Sequence, residues 1–144
     1  MKANELMIGD WVHLKYRHYL TREVVEFDFK VSQLPCNYGN EIQVWGDSID
    51  GKHHGNMGDV SRIDPIPLTP DILEKNGFND DGEGVYGNDD SFFIPTYQSG
   101  FDTGTWETHI EPTEGIGDFH GKLRYVHELQ HALRLCGIDK AVRL

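Results

Sequence analysis

Residues 25–32 alternate apolar and polar without a break. Val25, Phe27, Phe29 and Val31 fall on one side, and Glu26, Asp28, Lys30 and Ser32 on the other. A repeat of two residues is the signature of a half-buried strand. Phe27 and Phe29 are therefore expected inside. The flanking segments read as further short strands. Gly9-Asp10 is a turn signal leading into Val12, Leu14 and Tyr16, which alternate with His13 and Lys15. Residues 35–40 read as a turn and 42–45 as a strand ended by Gly46-Asp47. Residues 52–58 read as a polar loop and 60–63 as a short strand. Short strands at this spacing predict a small antiparallel barrel, and by analogy of fold an SH3-like one, over residues 1–66.

The rest of the chain, residues 67–144, has a different grammar. Thr69-Pro70 predicts an N-cap followed by proline in the first helical turn, and Asn76-Gly77 a left-handed helix end. Residues 79–90 form a Gly- and acid-rich loop. Residues 91–97 and 101–110 predict a hairpin closed at Gln98-Ser99-Gly100, with Pro95 marking the first strand as an edge. Residues 115–121 read as a loop. The longest helix is expected over 123–136, stopped by Gly137. On it Tyr125, Val126, Leu129, Ala132, Leu133 and Cys136 share an apolar arc, and His127 and His131 lie nearly opposite. The fold class expected is thus α+β: a small SH3-like β-barrel followed by a helix–hairpin–helix α+β unit.

Charge narrows the function classes. Thirteen Lys and Arg against 24 Asp and Glu leave a net charge of −11. Residues 76–121 carry ten acidic residues and no Lys or Arg. Such a block repels phosphate, so direct nucleic-acid binding is not expected. It suits a basic protein partner, with Asp80, Asp81, Asp89 and Asp90 as the candidate acidic patch. No apolar run approaches the roughly 20 residues of a membrane span. With no secretory signal in the first ten residues and only Cys36 and Cys136 as thiols, a cytoplasmic protein is expected.

Two motifs touch on metal chemistry. His127-Glu128-Leu129-Gln130-His131 matches the H-E-x-x-H of zinc proteases, where two imidazoles one helical turn apart bind the metal and the glutamate is the general base. A third ligand is missing nearby, because the 13 residues after His131 include no His or Glu. His120, Asp118 or the His53-His54 pair would have to supply it from another element. Arg124 and Arg134 beside the motif disfavour a dication. Asn79, Asp81, Glu83 and Asp90 can be laid onto a calcium loop with Gly84 at its turn, although Asn opens it and a strand-like run follows. Zinc and calcium are accordingly alternatives to a protein with no cofactor. Cys36 and Cys136 stand alone, and no phosphate-binding or dinucleotide-binding glycine motif is present.

Three stretches carry a resemblance: Met1–Leu6 with Ile8–Val12, Asp64–Thr69 through Gly77-Phe78, and Tyr125–Gln130. Over about a third of the chain, it resembles a group of small uncharacterised proteins from Bacteroidetes genomes, their prophages and their phages. The resemblance implies an accessory protein of a mobile element and no catalytic residue. Members of the group usually carry Asn where His131 stands here, which weighs against the zinc motif. The reading expected is a non-enzymatic accessory or binding protein of a phage or mobile element. The alternatives are a zinc-dependent hydrolase through His127, Glu128 and His131, and an acidic nucleic-acid mimic or nucleotide-sequestering anti-defence protein.

Overall fold

The computed structural model describes residues 2–39, 41–89, 91–98, 101–112 and 117–144. Among the described residues the chain is mostly β, with two α-helices and a curled half-barrel sheet. It divides into two compact units, Met1–Ile66 and Pro67–Leu144.

The first unit is one antiparallel sheet of β1 (Trp11–Arg17), β2 (Val24–Tyr38), β3 (Glu41–Ser48), β4 (His54–Asp59) and β5 (Ile63–Pro65). Their spatial order is β4-β3-β2-β1-β5. The alternating run sets the register: Val12 faces Phe29, Leu14 faces Phe27 and Tyr16 faces Val25. Val12, Leu14, Phe29 and Val31 are fully buried, and Met57 of β4 and Ile63 of β5 join the same core cluster. The two edge strands thus contribute to one core. The bend comes from β2, whose pairing with β3 slips between Val31 and Gln33 and again between Gln33 and Cys36. Such bulges kink a strand and raise its twist. At the entry to β1, Gly9 takes φ +91° and the buried Asp10 accepts the Met7 N–H at 2.7 Å. The Gly-Asp signal is thus a built turn.

Several expectations for this unit need correction. Residues 35–38 continue β2 instead of turning, because the bulges let the strand bend while still pairing with β3. Gly46 lies within β3 and not at its end. The polar loop at 52–58 is in large part β4, paired with β3 from Asp47↔His54 to Gln43↔Asp59. Residues 60–62 are a 3-10 turn, capped by the Asp59 carboxylate on the Ser61 N–H at 2.8 Å. Phe27 is half-buried, whereas Phe29 is wholly inside.

The second unit begins with α1 (Pro70–Lys75), followed by β6 (Asn79–Asp80), β7 (Tyr86–Asn88), β8 (Ser91–Gln98), β9 (Phe101–Ile110), β10 (Phe119–Leu123) and α2 (Val126–Leu135). The sheet order is β10-β9-β8-β7-β6. Thr69 Oγ1 accepts the Ile72 N–H at 3.4 Å, and Gly77 takes φ +79°, as the capping signals predict. The buried Asn76 does more than end a helix. Its amide donates to Ile72 O and Arg143 O, and its oxygen accepts the Arg143 N–H, tying down the C-terminal segment.

One face of this sheet is core: Phe93, Trp106, Thr108, Ile110 and Leu123 are buried, along with Val126, Leu129, Ala132 and Leu133 of α2. The alternate positions Phe92, Ile94, Glu107, His120 and Lys122 are exposed. Pro95 does not mark an edge strand, since β8 lies between β7 and β9. The pairing with β7 covers only Ser91–Phe93, so Pro95 sits where the ladder on that side has already stopped. Residues 119–123 form β10, overriding both the expected loop and the expected helix start, because they pair residue for residue with β9 from Ile110 to Trp106. The helix therefore begins at Val126. No helix among the described residues is long and apolar enough to cross a membrane.

Candidate functional site

The first unit carries a cavity of about 530 Å³. That size suits a small ligand. Its lining combines apolar Leu14, Phe27 and Met57 with the cations Lys52 and Arg62 and the imidazoles of His53 and His54. Among the described residues, no Asp or Glu lines it. A cationic hollow stands out in a chain of net charge −11.

Lys52 and His54 are held by carboxylates outside the lining. The β3–β4 turn is organised by Asp50, which accepts from Ser48 Oγ at 2.6 Å and from the Lys52 N–H at 3.0 Å. These bonds, the Ser48 hydroxyl foremost, lower the Asp50 carboxyl to about 2. The Lys52 ammonium lies 3.3 Å from the same carboxylate. His54 Nδ1 lies 2.9 Å from Asp47 Oδ1, and this hydrogen bond raises the pKa of the imidazole, chiefly by favouring its charged form. His53 stacks on Phe27, with ring centroids 4.4 Å apart and planes 5° from parallel. Tyr16 also lines the cavity. Arg62 projects from the 3-10 turn, and Asp59 beside it is held low, first by Ser61 and in smaller part by Arg62 itself. The arrangement sets the Lys52 and Arg62 side chains around a flat ring platform. It can hold an anion that carries a planar group.

The H-E-x-x-H residues have a different environment from the one expected. His127 is only 6% exposed, so it does not lie on a solvated face. Its ring stacks on Tyr125 at 5.8 Å and meets His131 edge-on at 5.7 Å. Glu128 Oε2 accepts the Arg124 N–H at 2.6 Å and the Tyr125 N–H at 3.1 Å. That is the carboxylate half of a helix-start cap, a structural use of the side chain. The outward residue of this helix is Leu135, 69% exposed.

The candidate acidic patch is likewise engaged locally. Asp80 Oδ1 accepts from the N–H groups of Gly82 and Gly84, and Asp81 Oδ1 from those of Glu83 and Val85. These are side-chain-closed turns of the β6–β7 hairpin. Asp89 is exposed, and Asp90 lies outside the described residues. Of the calcium-loop set, Asn79 is in β6 and Asp81 has one oxygen on its own loop. Cys36 is exposed, and Cys136 is buried with its thiol pKa raised by that burial.

Sequence reading missed one constellation. His109 on β9 and His120 on β10 are direct cross-strand partners. Glu111 follows His109 at strand spacing on the same side. Among the described residues, these are the only three His, Cys, Asp or Glu side chains whose ligand atoms gather within 4.8 Å. The spacing His109-x-Glu111 was visible, but His120 sat in what read as a loop.

No protein-family model, curated protein or solved structure matches the chain.

Proposed function

We propose that this is a non-enzymatic binding protein of a phage or other mobile element, whose first unit is an SH3-like barrel that takes up a small anionic ligand bearing a planar ring. A nucleotide is the chemical class that satisfies both requirements, in keeping with the nucleotide-sequestering reading. The observation that carries this is the cavity whose rim brings Lys52 and Arg62 around the stacked Phe27–His53 pair. Phosphate oxygens suit the cations, and a base suits the aromatic platform. The curled five-stranded sheet, its long bent second strand and the 3-10 turn before the last strand support the SH3-like assignment by analogy of fold.

Calorimetric titration with nucleoside mono-, di- and triphosphates, with free nucleosides and pyrophosphate as half-ligands, tests the proposal. Saturable binding of a nucleotide is expected, stronger than of either half-ligand. Arg62→Ala and Lys52→Ala should each weaken it by about tenfold, or ~1.4 kcal/mol. Absence of nucleotide binding at millimolar concentration, or binding indifferent to both substitutions, overturns the proposal.

A second reading concerns the second unit, where ten acidic residues and no Lys or Arg fall within residues 76–121. That charge supports capture of a basic protein partner, or mimicry of a nucleic acid.

A further inference from the structure

We propose that His109, Glu111 and His120 form a binding site for a divalent transition-metal ion, zinc being the fitting choice. The sheet brings the three together without any loop having to close. His109 and His120 face each other across β9 and β10, and their ring centroids are 3.6 Å apart with planes at 47°. Both Nε2 atoms lie close to one atom, Oε1 of Glu111, at 2.6 Å from His109 and 3.6 Å from His120. Two nitrogen donors and one carboxylate oxygen thus converge on a single small volume.

The contact between His109 and Glu111 is close but badly directed for a hydrogen bond. His109 Nε2 is shut off from solvent and has no hydrogen-bond partner of acceptable geometry, despite lying 2.6 Å from the carboxylate. A buried nitrogen without an aligned partner is costly, and a coordinated cation removes that cost. Phe92 packs against the His109 ring at 4.7 Å and fixes one wall. Two imidazoles with one carboxylate is a donor set that zinc uses where a coordination position stays open to water or another ligand. His120 is 59% exposed on its side chain, so that open side faces solvent. Lys122, two residues on from His120 in β10, lies 3.8 Å from Glu107, which offsets its charge.

The site is separate in residues from the H-E-x-x-H motif, and the chain has eight histidines, so the experiment must tell them apart. Metal-free protein is titrated with zinc against a chromogenic chelator, and with cobalt for the ligand-field spectrum. One zinc per chain is expected. His120→Asn and Glu111→Gln should each weaken it by about a hundredfold or more, since even loss of an outer-shell partner costs 10–100-fold at known sites. His131→Asn should leave it unchanged. The cobalt form should give the visible bands of low coordination number in the parent protein and lose them in His120→Asn. His120 is the variant of choice because it is exposed, and circular dichroism confirms that the variant folds. Should His109→Asn fail to fold, His120→Asn reads the same site. Failure to bind zinc stoichiometrically at micromolar concentration overturns the proposal. So does binding that survives His120→Asn, or binding that His131→Asn abolishes.

Discussion

The Phe29 ring lies directly over the backbone of Gly46, so that residue 46 has no room for a side chain. A Cβ there would stand 2.8 Å from Phe29 Cε2 and 2.5 Å from Lys30 O, and nearer still to Phe29 Cδ2. Glycine inside a strand is unfavourable by itself. Here it lets the largest buried ring of the first unit lie flat on β3 while β2 and β3 stay paired at Val31↔Gly46.

Gly46→Ala should therefore destabilise the protein by about 2–3 kcal/mol, the upper end for forcing a methyl group into a packed core. Phe29→Leu alone leaves a gap and costs less than the 3–5 kcal/mol of a full truncation. Combined, the two should be less harmful than their sum, because the smaller side chain makes room for the methyl. Urea denaturation of the three variants measures this. Strict additivity would mean that the ring and residue 46 do not press on each other.

Asp50 gives a pH prediction. Its folded pKa, about 2, lies below the ordinary 3.8, so the stability it contributes is full above 3.8 and fades as pH falls towards 2. Asp50→Asn keeps an acceptor oxygen but not the charge. The stability gap between parent and variant should be constant from neutral pH down to the ordinary value, then narrow and close near the folded one. The Lys52 amide proton, 3.0 Å donor-to-acceptor from Asp50 Oδ1, should titrate with the same low midpoint by NMR. A Lys52 midpoint near 3.8 would show that the turn does not hold the carboxylate.

The local signals were read well where one physical term decides. Alternation at 25–31 set which face of β2 is buried, and Thr69-Pro70 with Gly77 set α1 almost to the residue. Reading failed where partners distant in sequence decide. Residues 54–59 and 119–123 are polar and Gly-containing, weak strands by composition, and they become strands through pairing with β3 and β9. Both candidate sites draw side chains from those two strands or the turns leading to them. The cationic rim needs the β3–β4 hairpin, and the His109–His120 pair needs β10. The H-E-x-x-H spacing was fully legible, but the burial of His127 and the use of Glu128 in the cap depend on where β10 ends.

Glu128 supplies a test of that structural use. Its Oε2 accepts two N–H groups ahead of α2, at Arg124 and Tyr125. Glu128→Ala should cost about 1 kcal/mol, as loss of a cap does, and fray the first turn. Glu128→Gln should cost less, because an amide oxygen still accepts, though without the charge that favours a helix N-terminus. Thermal unfolding of the two variants, with hydrogen exchange at residues 125–129, gives the answer. Equal stability of Glu128→Ala and the parent would leave the carboxylate without a structural purpose and reopen the hydrolase alternative.

The acidic hairpin separates charge from structure in the same way. Asp80 and Asp81 each close a turn through Oδ1, and an asparagine oxygen accepts the same bonds. Asp80→Asn with Asp81→Asn should keep the turn and leave the fold as stable or slightly firmer, since like charges repel across it. Asp80→Ala with Asp81→Ala should lose the turn bonds, at about 0.5–1.5 kcal/mol for each carboxylate. Asp89 is exposed in the β7–β8 connection, so Asp89→Asn removes charge with little structural effect. A basic partner held by the field of this block should be released by the Asn changes and by added salt alike, with each change acting roughly in proportion to the charge removed. Retention of the partner by the Asn variants, together with its loss in the Ala variants, would mean that loop shape and not charge is recognised. In that case the mimic reading of residues 76–121 fails, while the cationic cavity of the first unit is unaffected.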